Sequence, residues 1–244
     1  MKVRDCLVAL TLIASIDALH HVRSHAVDSN ECQQDDVARQ SPIDLPGVLA
    51  AEANQGAYAW TLLDPTTGTV TRLDDTIKTF WAGGSEVALH GCVYSSVNFH
   101  HHAPSEHTID GRHFDLELHF VHSNDAGHLA AVGVFFDVDD DDDAPNPFLD
   151  QFVPGFGLLK NVHDNFTLPL VSAQGIGFET SNVFRYEGSL TTPPYTEGVA
   201  WSVLTEVQSI SSEQLEAFKH VIDEANSRPT QCTNGRDIAL VQTV

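Results

Sequence analysis

Asn98-Phe99-His100-His101-His102 and Phe114-Asp115-Leu116-Glu117-Leu118-His119-Phe120 are the two stretches from which the fold is read. Successive side chains of a strand point to opposite faces, so residues two apart share a face. Leu116, Leu118 and Phe120 then line one face of the second stretch, and Glu117 and His119 the other. In the first stretch His100 and His102 project together while His101 points the opposite way, toward the core side. Further short strands are read at 59–63, 69–73, 77–81, 86–89, 93–99, 130–137, 178–187 and 200–207. Turn residues such as Asp64-Pro65, Gly83-Gly84, His90-Gly91, Asp110-Gly111 and Asn124-Asp125 separate many of them. One helix is predicted after Ser211, which can cap it with Gln214 three residues on; Leu215, Phe218 and Ile222 line its buried side. Many strands and few helices predict a β-dominated α+β fold in a single domain.

The bulk composition fits that reading. The chain has 244 residues, 42% hydrophobic and 19% charged, enough for one domain with a sizeable core. Residues 1–26 read as an export signal: Lys2 and Arg4 start it, an apolar stretch follows, and Ser24-His25-Ala26 offers small residues for cleavage. Residues 27–39 read as a polar tether and 40–244 as the domain. The expected destination is therefore secretion or an extracytoplasmic lumen. No apolar run approaches the roughly 20 residues of a membrane span. The net charge is −22, and losing Lys2, Arg4, Arg23, Asp5 and Asp17 with the signal makes it one unit more negative. Such a surface repels phosphate backbones, so nucleic-acid binding is not expected. The acidic run at 139–143 reads as a solvated loop. Cys32, Cys92 and Cys232 remain after the signal, an odd number that leaves one disulfide and one free or intermolecular thiol. Asn165-Phe166-Thr167 offers a glycosylation acceptor.

The chemistry lies in the histidines. If the two opening stretches pair as strands, His100, His102 and His119 face one another from a single surface. Three neutral imidazoles with an open fourth position suit a catalytic Zn²⁺ rather than a closed structural one. Glu117 and Asn98 share that face and can hold the non-ligating ring nitrogens. Spacing alone is only moderately specific, because His-x-His on a strand serves several kinds of metal site. A zinc protease is disfavoured, since no His-Glu-x-x-His occurs.

Five motifs then resemble those of the α-class carbonic anhydrases, in family order. They are Gln40-Ser41-Pro42-Ile43-Asp44-Leu45, Asn98 to Thr108, Glu117 to His122, Ser189 to Pro194 with Glu197 to Trp201, and Asn226 to Gln231 with Asn234-Gly235-Arg236. The resemblance implies a central twisted, mostly antiparallel sheet with zinc in a conical cleft. It also implies reversible hydration of carbon dioxide to bicarbonate and a proton, by attack of zinc-bound hydroxide. His100, His102 and His119 match the zinc ligands. Thr191 matches the residue that accepts a hydrogen bond from the hydroxide and donates one to Glu106. Thr192 matches the neighbouring substrate position, and Val121, Leu190, Val199, Trp201 and Ala131 the apolar wall. Sulfonamides and anions are the inhibitors the resemblance implies. The alternative is a silent or weak member acting as an acidic binding or biomineral-matrix protein, although the ligands, Thr191 and Glu106 are all present.

Three departures from the family pattern stand out. His101 replaces a phenylalanine and is expected to be buried and hydrogen-bonded. Asp75 stands at the proton-shuttle position that fast members fill with histidine. A carboxylic acid of ordinary pKa, about 3.9, accepts a proton from a group titrating near 7 only at a cost of roughly 4 kcal/mol. Tyr195 stands where exported relatives carry the partner of the cysteine matched by Cys32, so that Cys32 is left either to reach Cys232 or to remain free.

Overall fold

The computed structural model describes residues 38–48, 58–139, 143–176 and 182–242. The expected export signal, Cys32, most of the tether, and parts of the acidic run and of the strand read at 178–187 lie outside them. Thirteen strands follow one another among the described residues. They are β1 (Asp44–Leu45), β2 (Tyr58–Leu62), β3 (Thr66–Arg72), β4 (Ile77–Phe80), β5 (Ser85–Leu89), β6 (Cys92–His102), β7 (Thr108–Ile109), β8 (Leu116–Ser123), β9 (Leu129–Val138), β10 (Asn165–Val171), β11 (Asn182–Ser189), β12 (Glu197–Ile210) and β13 (Ala239–Gln242). One α-helix, α1 (Ser212–Val221), joins them.

Eleven strands form one sheet whose backbone order is β10-β3-β4-β6-β8-β9-β12-β11-β13, with β5 also on β6 and β2 on β5. Every pairing in it is antiparallel except β9 with β12. β1 and β7 form a separate parallel pair. β10 and β13 were not among the predicted strands. Both lie at sheet edges, and β10 carries Pro169, which is tolerated where no neighbour needs its N–H; the register shifts there, between Leu168 and Val171.

The sheet separates two kinds of interior. On one face Phe99, Leu118, Phe120, Val132, Val134 and Phe136 join Trp81, Phe148 and Phe152 in the larger core. Trp81 meets Phe99 edge-on at 5.2 Å, and Phe99 meets Phe148 at 5.4 Å and Phe152 at 5.4 Å. Each such ring pair adds about 0.5–1.5 kcal/mol beyond area burial. The helix lies on this face through Leu215, Phe218 and Val221. Its capping box is complete, with Ser211 accepting from the Gln214 N–H and Gln214 reaching back. Asp143 accepts from the Ser212 N–H at 2.5 Å, setting a carboxylate at the positive end of the helix. His101 lands on this face as expected: it is 2% exposed and meets Phe218 edge-on at 4.6 Å. Burial lowers its pKa to about 3, against a hydrogen bond to the Ile77 backbone that works the other way.

A second histidine is buried elsewhere in the sheet. His122 is fully buried, with Nδ1 3.1 Å from the Phe120 carbonyl and Nε2 2.9 Å from Ser85 Oγ. Burial lowers its pKa from 6.5 to about 4. Between those two values the unfolded chain binds a proton here that the folded chain does not, so stability falls as pH falls across that window. The expected contribution is on the order of 3 kcal/mol. Chemical denaturation of the metal-free protein at pH 7, 5.5 and 4.5 will show a steeper loss for the wild type than for His122→Asn, which keeps a donor toward Phe120 but does not titrate. Equal slopes would reject this account of His122.

Candidate metal centre

The other face of the sheet builds the site row by row. Lys78 pairs with His100, His100 with His119, His119 with Gly133, and Gly133 with Val203. The adjacent row runs Phe80, Asn98, Val121, Ala131, Trp201 and Tyr186. His102 stands opposite Glu117 in the row on the other side. His102 and His119 are each 1% exposed and His100 is 9% exposed. Ligand atoms of the three lie within 4.8 Å of one another.

One nitrogen of each ring faces an acceptor, although the His119 contact to Glu117 lacks hydrogen-bond geometry. His100 Nδ1 is 3.3 Å from Asn98 Oδ1, His102 Nδ1 is 3.0 Å from the Asn226 carbonyl, and His119 Nε2 is 2.9 Å from Glu117 Oε1. The remaining nitrogens are His100 Nε2, His102 Nε2 and His119 Nδ1. His102 Nε2 is buried without a hydrogen-bond partner. A buried ring nitrogen left unpaired is costly unless something accepts its lone pair. Three convergent imidazole nitrogens in a dry surround fit a borderline-soft divalent cation.

Electrostatics favour neutral rings at two of the three positions. Burial lowers the pKa of His100 well below 6.5, reinforced by its histidine neighbours and Lys78. Burial also lowers that of His102, against the pull of Glu106. At His119 burial works downward, but the adjoining Glu117 outweighs it and the pKa rises. A carboxylate behind a ligand imidazole makes that ring a better electron donor.

Glu117 is itself fully buried. Its Oε2 accepts the Glu106 and His107 N–H groups, each at 2.9 Å, and Oε1 lies 2.7 Å from His107 Nδ1. Burial would raise its pKa, but His107, His119 and these bonds hold it well below the ordinary value. Gly133 makes the room, since a Cβ there would lie 2.9 Å from Glu117 Oε1. His107 passes the contact on: its Nε2 is 2.6 Å from Tyr186 Oη, which is 2.8 Å from Ser41 Oγ.

Glu106 is 1% exposed. The Arg228 N–H donates to its Oε1 at 2.9 Å, whereas Oε2 is buried without a partner and lies 3.7 Å from His119 Nδ1. The expected hydrogen bond from Thr191 to Glu106 is therefore not formed in this structure, although Thr191 is buried. The apolar residues gather as expected. Ala131, Val199 and Trp201 belong to one buried cluster with Leu190 packed against it, and Val121 is the register partner of Ala131. The Trp201 ring meets His119 at 4.8 Å and is anchored by Nε1 donating to the Ser189 carbonyl at 2.9 Å. Thr192 is half-buried at the rim and Asp75 is exposed.

Cys92 and Cys232 are both disulfide-bonded. Cys32 lies outside the described residues. Asn165 is exposed at the start of β10.

Sequence reasoning missed three residues. Asn226 accepts the Ala103 N–H through Oδ1 at 2.8 Å and donates through Nδ2 to the His101 and Asp75 carbonyls. His107 links Glu117 to Tyr186. Arg228 donates through its side chain to the Ser41 carbonyl at 2.6 Å as well as through its backbone to Glu106. Asn226, Arg228 and His107 all sit inside motifs quoted from the sequence, which was the signal available. Because the Glu117 carboxylate orients His119 and is satisfied by donors alone, Glu117→Gln sets an NH₂ group against N–H donors. Metal affinity, read by competition with a chromophoric chelator, is expected to fall about 10- to 100-fold; unchanged affinity would remove Glu117 from this role.

Comparison with known proteins follows the same lines. The family model for eukaryotic-type carbonic anhydrase matches residues 24–242. Alpha carbonic anhydrase 4 of Arabidopsis thaliana is 36% identical over 204 residues, 82% of this chain and 73% of the relative. The α-carbonic anhydrase of Thermovibrio ammonificans, solved with the inhibitor sulfanilamide, superposes with a TM-score of 0.71 at 33% identity, covering 82% of this chain and 86% of the other. Dioscorin, solved with ascorbate, superposes with a TM-score of 0.77 at 25% identity, over 86% of this chain and 88% of the other. With three imidazoles converging beside an apolar wall on this fold, the chain belongs to the α-carbonic anhydrase family.

Proposed function

We propose that this chain hydrates carbon dioxide reversibly to bicarbonate and a proton, using one zinc ion held by His100, His102 and His119. The observation that carries the reading is the adjacency of two rows on one sheet face. The row holding His100 and His119 lies directly beside the row holding Val121, Ala131 and Trp201. When bound, zinc lowers the pKa of a coordinated water from 15.7 to about 7.

The chain's own residues do the rest. Val121, Ala131 and Trp201, with Leu190 and Val199, offer an apolar surface that suits a nonpolar gas and binds it weakly. Ala131 is small and leaves space in that wall. Glu106 Oε2, buried and without a partner, is an acceptor awaiting a donor. The Thr191 hydroxyl can supply one hydrogen to it, and a hydroxyl that has given its only hydrogen can then only accept. That pairing would fix the direction of an attacking oxygen's lone pair, which is catalysis by orientation. Thr192 flanks the same place. Asp75 stands where the proton must leave, and Asn226 ties its backbone carbonyl to the strand that carries His101 and His102. The surface charge of the chain also fits the second reading, an acidic binding or matrix protein. Export to a lumen or to the outside is part of the proposal and rests on residues 1–26.

Stopped-flow hydration of the zinc-loaded chain decides between the two readings. Hydration that disappears on metal removal and returns with zinc is expected, and full zinc occupancy without hydration would sink the enzyme reading. Thr191→Ala is expected to lower kcat/KM by at least about 10-fold with zinc content unchanged. If a carboxylate at position 75 limits proton release, turnover will climb as imidazole buffer is added, and Asp75→His will raise the unbuffered rate while flattening that climb. Wild-type turnover insensitive to added imidazole would overturn the assignment of Asp75.

A further inference from the structure

Lys78 lies on β4 between Ile77 and Thr79, which are both buried on the core side. Its side chain therefore shares the opposite face with His100, its direct register partner. Directly paired strand residues hold their Cβ atoms about 4.5–5.5 Å apart. The residue is half-buried, and among the described residues no carboxylate lies within ion-pair distance of its ammonium and no hydrogen bond engages it. Other cations near the cleft are committed. Arg228 binds Gln40 and Ser41 and stacks on Tyr195, and Arg236 binds the Glu187, Thr233 and Cys232 carbonyls. A lysine kept unpaired on an extended strand, on a chain with 34 acidic and 12 basic residues, is a placed charge rather than part of a balanced surface.

We propose that Lys78 is a specificity-determining residue that holds small monoanions, of which bicarbonate is one, beside the His100–His102–His119 centre. The inference rests on the metal reading of that centre. It assigns Lys78 a task that neither the ligands nor the apolar wall performs: the wall receives a neutral gas, and Lys78 retains or positions the anion formed from it. A carboxylate-rich chain otherwise disfavours any anion approaching its surface.

The test uses the full chain loaded with Co²⁺, whose visible absorption reports ligands entering the site. Wild type, Lys78→Gln and Lys78→Arg are titrated with thiocyanate, a monoanion, and separately with neutral imidazole above its pKa. Thiocyanate binding should weaken on the order of 5-fold in Lys78→Gln, recover in Lys78→Arg, and lose part of its salt dependence, while imidazole binding stays the same. Thiocyanate affinity unchanged to within about 2-fold would overturn the proposal. Equal weakening for both ligands would also overturn it, because it would mark a structural role. Failure of Co²⁺ to give any visible absorption would overturn it together with the metal reading. A wild type that discriminates anions through Lys78 yet does not hydrate carbon dioxide would support this inference and refute the proposed activity.

Discussion

A carboxylate wholly withdrawn from water, that of Glu117, is the constraint around which the site is organised. Moving such a charge out of solvent costs several kcal/mol even after relaxation, and only close donors offset that. Here two backbone N–H groups meet one oxygen and two imidazoles approach the other. The consequences spread outward. The Glu106–His107 backbone must fold back onto β8 to deliver its N–H groups, which places the Glu106 carboxylate close to His119. His107 must present Nδ1 to Glu117. In a neutral ring this leaves Nε2 as an acceptor for Tyr186, whose hydroxyl burial keeps protonated by raising its pKa well above the ordinary value. Tyr186 in turn meets Ser41, so a segment near the start of the domain is bound to its centre. Gly133 across the sheet can carry no side chain without pressing on the same oxygen. Four distant pieces of chain are thus positioned around one charge.

Precision at His100, His102 and His119 comes from the face they do not touch. Phe99, Leu118 and Phe120 interdigitate with Trp81, Phe148 and Phe152 on the far side of β6 and β8. Strand alternation couples the two faces rigidly: a one-residue slip would send the aromatic rings into the cleft and the imidazoles into the core. The antiparallel pairing of His100 with His119 then brings these histidines together with no loop involved. His101 shows the coupling most clearly. Lying between His100 and His102, it faces the core against Phe218, so it cannot turn its ring nitrogens toward theirs.

Alternation was visible in the sequence, and this is why β6, β8 and β9, the capped helix and the histidine cluster were legible there. What could not be read is whatever depends on register across strands distant in sequence or on backbone atoms. Lys78 looks ordinary until it is paired with His100. Asn226 grips His102 with a carbonyl oxygen, a group every residue has, so side-chain identity gives no sign of it. β10 escaped because Pro169 and its exposed alternating residues look like a loop, and an edge strand needs only one good neighbour. Motif resemblance supplied Thr191 and Glu106, but it could not show that Glu106 Oε2 would stand unpartnered here.

The reaction assigned to this family turns neutral reactants into one anion and one cation, so charge near the cleft matters in two opposite senses. A net charge of −22 attracts protons and repels bicarbonate over the whole molecule. At physiological ionic strength that field is screened beyond about 8 Å, so the distant acidic surface contributes little inside the cleft. What an ion meets there is set by the few charges nearest the metal centre. Asp75 and Lys78 are separated by two residues, Thr76 and Ile77, and Asp75 acts on Lys78 electrostatically without forming an ion pair. On the proposed reading, a carboxylate at the exposed end and an ammonium opposite His100 would divide the two products by sign: the proton would have an acceptor toward solvent and the anion a partner near the three histidines. On that reading, closing the two side chains into a salt bridge would cancel both roles. The strand start at Ile77 prevents this, since Lys78 is committed to the sheet face while Asp75 remains in the turn.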